Sequence, residues 1–149
     1  MIKTFVFLAI ATWLPLPVLA DALITSEEAE RFQSLIDPAA RQVVAIDADA
    51  PSILVLQPLT EGSLKAPFPI RISFHASSGH RIAWDTLRVF YGNFQLDITE
   101  RVLREANISS DSLYLPKADI PPGLHKLTVR ISDERRSIAQ KDLMLLVEK

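Results

Sequence analysis

The chain has 149 residues, 48% of them hydrophobic and 23% charged, and contains no cysteine. Sixteen basic against eighteen acidic side chains leave a net charge of −2, which offers no electrostatic footprint for nucleic acid or anionic lipid. Such a composition is too apolar for disorder and too charged for a membrane bundle. Without cysteine there is no disulfide framework, no thiol nucleophile and no cysteine-based metal site.

Residues 1–20 read MIKTFVFLAIATWLPLPVLA. Lys3 provides a positive start, an apolar run extends from Phe5 to Leu14, and Pro15 and Pro17 break it before Ala20. This layout predicts a signal peptide cleaved after Ala20, and so an exported protein, periplasmic or secreted. The apolar run is half the ~20 residues that a spanning helix needs, so no stable membrane span is expected. The remaining chain is short enough for one domain.

Residues 25–36 (TSEEAERFQSLI) carry a helix pattern. Thr25 and Glu28 have the spacing of a capping box, and Glu27 and Glu28 suit the positive end of the helix dipole. Ile24, Ala29, Phe32, Leu35 and Ile36 fall near one face, and Asp37-Pro38 ends the pattern. A helix this short needs a packing surface. Residues 21–51 are therefore read as a helical extension and linker that packs on its own domain or on a partner, dispensable for the folding of residues 52–149 but not for association.

From residue 52 the period changes to two. Residues 52–58 form one apolar strand. Phe68, Ile70, Ile72 and Phe74 alternate with Pro69, Arg71, Ser73 and His75, the pattern of a half-buried strand. Ser77-Ser78-Gly79 signals a turn. Leu87, Val89 and Tyr91 alternate along the next strand, which Trp84 opens, and Gly92-Asn93 turns it back. Residues 100–108 read as one helical turn or a loop. Leu113 and Leu115 mark another short strand. Pro121-Pro122-Gly123 is a turn, after which Leu127, Val129 and Ile131 alternate with polar neighbours. Residues 138–147 close the chain. Six or seven short strands with turns every 8–12 residues predict a mainly β fold, an antiparallel sandwich over residues 52–149. Its core is expected to set Leu127, Val129 and Ile131 against Phe68, Ile70 and Ile72.

Three stretches carry a resemblance. They are Ile53-Leu-Val-Leu-Gln-Pro58 with residues 66–74, Trp84-Asp-Thr-Leu-Arg-Val-Phe-Tyr91 with residues 96–101, and residues 120–133 (IPPGLHKLTVRISD). Together they resemble the bacterial immunoglobulin-like domains of exported and cell-envelope proteins. The resemblance covers about residues 52–149 and implies an immunoglobulin-like β-sandwich. Its motifs are structural and identify no ligand.

Few residues invite chemistry. His75 and His80 flank one turn without a third metal ligand of suitable spacing. His125 is in phase with the inward positions of its strand, which suits a hydrogen bond to backbone at the sandwich end. No Gly-x-Ser-x-Gly elbow or glycine-rich phosphate loop occurs. Asp85 and Asp97 suit turn capping better than paired acid–base catalysis. The sequence thus points to no catalytic residue, no cofactor and no metal. Aromatic side chains are the remaining pointer: Phe90, Phe94 and Tyr114 lie out of phase with their strands' apolar positions. With Trp84, they are the candidate binding residues, since exposed aromatics stack on sugars or anchor protein partners. The expected function is a non-catalytic binding or structural module contacting another envelope protein. The alternative is a module binding carbohydrate or a small ligand. A concave groove lined by exposed aromatics favours the second, and an apolar patch or open strand edge favours the first.

Overall fold

A computed structural model of the chain describes residues 22–33, 49–59, 62–77 and 79–149. The elements in order are α1 (Ser26–Gln33), β1 (Ser52–Gln57), β2 (Phe68–His75), β3 (Ile82–Tyr91), β4 (Leu96–Asp97), α2 (Thr99–Glu105), β5 (Asn107–Ile108), β6 (Ser112–Ala118), β7 (Gly123–Asp133) and β8 (Ile138–Val147). The strands form two four-stranded antiparallel sheets, ordered β1-β2-β6-β5 and β4-β3-β7-β8. The signal-peptide expectation and the last three residues of the expected helix, 34–36, lie outside the described residues.

The period-two reading of β2 and β7 predicts their burial. Phe68, Ile70, Ile72 and Phe74 are buried on one sheet, and Leu127, Val129 and Ile131 on the other. The facing pairs Ile70, Ile72, Leu127 and Val129 line a shared interior void of about 20 Å³. That is room for about one water, so the space between the sheets takes no ligand.

One side of the molecule is closed by α2, which lies against β3 and β6. On the other side the outer strands β1 and β8 lie next to each other. Leu64 pairs with the edge of β8 there: its N–H donates to the Leu146 carbonyl at 2.8 Å, and the Glu148 N–H donates to the Leu64 carbonyl at 2.8 Å. Gly92 sits at φ 69° in the turn between β3 and β4, a conformation glycine adopts without steric cost.

The capping box at the start of α1 is present. The Glu28 N–H donates to Thr25 Oγ1 at 3.2 Å, and the Thr25 N–H donates back to Glu28 Oε2 at 3.0 Å. The segment does more than rest on the sheets, however. Leu23, Ile24 and Ala29 belong to the main core cluster, and α1 packs against β7. The idea that residues 52–149 close a core alone is therefore corrected. Strand alternation accounts for the two sheet faces but not for the end between them, which these three side chains fill. Residues 100–108 also gain definition, as the two-turn helix α2 followed by the short β5.

Candidate functional site

The candidate aromatics are held apart. Phe90 and Tyr114 sit on different sheets, and each is half-covered by an arginine from a neighbouring strand. Arg130 lies 5.3 Å above the Phe90 ring and Arg71 lies 4.6 Å above the Tyr114 ring, cation–π contacts between sheet neighbours. Phe94, in the turn after β3, is 66% exposed. Trp84 lies near the opposite end of β3, six residues and about 20 Å along the strand from Phe90. The four do not form one site.

Trp84 instead helps line a groove of about 530 Å³ with Phe74, His75, His80, Arg81 and Asp111. Its indole N–H donates to the Ser110 carbonyl at 3.3 Å, and its ring meets Phe74 edge-on at 5.2 Å. Phe74 itself is fully buried, and Trp84 is half-buried, packed against the core while lining the groove.

The polar groups elsewhere serve the fold. His125 is fully buried; its Nε2 lies 2.7 Å from the Pro121 carbonyl and its Nδ1 2.9 Å from the Tyr91 hydroxyl. A carbonyl only accepts, so Nε2 carries the proton, Nδ1 accepts from Tyr91, and the ring is neutral. Burial pushes the His125 pKa down, against the opposing bond to Pro121. Burial also pushes the Tyr91 phenol up to about 12, and the charge of Glu28 adds to this. Glu28 accepts two 2.9 Å bonds from the Arg101 guanidinium, joining α1 to α2. Arg101 holds the Glu28 carboxyl down at about 2, helped by Thr25 and opposed by burial. Asp97 accepts from the Thr99 hydroxyl and N–H, bonds that lower its pKa. Asp133 accepts from the N–H groups of Arg135 and Ser137 in the β7–β8 turn. Among the described residues no group of three or more His, Asp or Glu side chains is placed to hold a metal ion. No described helix is long and apolar enough to cross a membrane.

An apolar margin escapes the aromatic reading. Along β8, Leu143, Leu145 and Val147 point into the core, while Met144 and Leu146 between them are 40% and 50% exposed. Leu124 of β7 pairs directly with Leu146 and is also exposed. On β1, Ile53 and Val55 pack on the core while Leu54 and Leu56 are 49% and 46% exposed. A strand that is apolar on both faces matches burial on both faces, and here one face of each is open. The sequence signal is the unbroken runs Ile53-Leu-Val-Leu56 and Leu143-Met-Leu-Leu-Val147, which violate alternation.

Edge pairing is guarded against. Lys141 occupies an inward register position opposite Val129 yet is exposed, and a charge in that position discourages strand addition to an outer strand. The outward faces of β1 and β8 belong to opposite sheets and come together at the margin where the two outer strands adjoin, which is the available surface. Comparison with known proteins finds no matching family model and no matching curated relative.

Proposed function

We propose that the protein is an exported, non-catalytic immunoglobulin-like module that docks on another envelope protein through the β1–β8 margin. The strand order supports the fold: β1-β2-β6-β5 over β4-β3-β7-β8 corresponds to the A-B-E-D and C′-C-F-G sheets of that Greek-key sandwich. The leader, with cleavage after Ala20, supports export. The use of His125, Asp97 and Asp133 in internal hydrogen bonds supports a non-catalytic role.

The observation that carries the docking surface is β8, apolar on both faces with Met144 and Leu146 open to solvent. Exposed apolar side chains grouped on one surface mark interaction sites. The test is capture of partners from the envelope fraction by the wild type and by Leu54→Glu and Leu146→Glu. Both substitutions lie on outward positions, so the variants should fold with unchanged near-UV circular dichroism. Loss of the captured protein in both variants is expected. Undiminished capture by the folded variants contradicts the assignment.

A further inference from the structure

We propose that the Trp84 groove is a second, independent binding site, for a saccharide that carries a carboxylate, such as a uronic acid oligomer. Its volume of about 530 Å³ lies within the roughly 300–1,000 Å³ typical of small-ligand sites. With the interior between the sheets filled, a ligand of that size binds on the outside.

Three kinds of group that an acidic sugar uses meet in this groove. The first is a fixed aromatic surface. The Trp84 indole is held by its bond to Ser110 and by the edge-on contact with Phe74. A pre-set ring takes the apolar C–H face of a pyranose with little loss of side-chain freedom. The second is a set of donors. Arg81 offers a planar fork that matches a carboxylate, and His80 lies beside it. His75 is oriented by a 3.1 Å contact between its Nε2 and Ser73 Oγ. The third is an acceptor, Asp111, whose carboxylate takes hydrogen bonds from hydroxyls.

The combination narrows the ligand. A bare phosphate has no apolar face and gains nothing from Trp84. A neutral sugar leaves the Arg81 charge unused. A hydroxyl-rich ring bearing one carboxylate uses all three groups.

Trp84 and Trp13 are the two tryptophans of the chain, so in a protein of residues 21–149 the intrinsic tryptophan fluorescence reports this groove alone. The experiment titrates that protein with trigalacturonate, maltotriose and inorganic phosphate. The expected result is a saturable change in emission with trigalacturonate, half-complete below about 1 mM. Maltotriose should act at least roughly tenfold more weakly, and Arg81→Ala should weaken trigalacturonate by a similar factor. Asp111→Ala, which removes the acceptor at an exposed position, should weaken it as well. Three results overturn the proposal: no saturable change up to about 10 mM trigalacturonate, an equal response to maltotriose or phosphate, or full binding by folded Arg81→Ala and Asp111→Ala. None of these depends on the β1–β8 margin.

Discussion

Replacing Ile24 by alanine tests whether the N-terminal segment belongs to the core. Ile24 is 1% exposed and clusters with Leu23 and Ala29 among the residues of both sheets. Removing a buried isoleucine to alanine costs about 2–5 kcal/mol, the larger values applying where the site does not collapse. The end of a sandwich is held open by two sheets, so the upper half of that range is expected. For a domain of this size each kcal/mol lowers Tm by about 3–5 °C, so Tm should fall by roughly 10 °C or more. Urea denaturation of residues 21–149 should show a lower midpoint at unchanged m, because the surface exposed on unfolding is nearly the same. Glu30→Ala, on the exposed side of α1, is the control and should cost less than about 0.5 kcal/mol. A loss below about 1 kcal/mol for Ile24→Ala would place the segment outside the core, as a dispensable extension.

The same contacts set three further outcomes. Ile131→Ala, fully buried on β7, should cost about 2–5 kcal/mol in the same assay, and a loss below about 1 kcal/mol would remove it from the core. Arg101→Met should cost about 1–2 kcal/mol at pH 7, discounted because the Arg101 side chain is 35% exposed. Glu28 is depressed to about 2 from an ordinary 4.5, so its contribution is whole above 4.5 and is lost as pH falls towards 2. The gap between wild type and Arg101→Met should therefore close over that interval, and a gap that persists at pH 2 rules out the ion pair as its source. His125 is neutral and its pKa is lowered from 6.5 by burial, so unfolding takes up a proton as pH falls below 6.5, and stability drops. His125→Gln should be less stable at pH 8 yet flatter from pH 6.5 to 5, and an unchanged slope would exclude His125 as the titrating group.

The fold was legible where the period was strict. Phe68 to Phe74 and Leu127 to Ile131 alternate, so their inward faces can be read from pattern alone, whereas the burial of the out-of-phase Ser73 and Thr128 cannot. The Thr25–Glu28 box was legible because both partners lie within one turn. What the sequence hid is non-local. Arg101 reaches Glu28 across 73 residues, and no spacing rule pairs them. The insertion of Leu23 and Ile24 into the core depends on an opening that exists only once two sheets have formed. β4 and β5 are two residues each, too short to hold a period. The aromatic candidates show the same limit: Phe90 and Tyr114 are out of phase with their strands' apolar positions, but strand register sets Arg130 and Arg71 over them. The Met144 and Leu146 surface was present in the sequence as two apolar residues in outward phase, and a search for aromatics passes over it.

Site-specific photo-cross-linking in cells that produce the protein tests the docking surface most directly. A photoreactive amino acid is placed at 54, 56, 144 or 146 on the β1–β8 margin, and at 100 or 105 on the exposed side of α2, across the molecule, as controls. One cross-linked species of the same size is expected from the margin positions and none from the controls. Cross-linking from the controls with none from the margin would contradict the assignment.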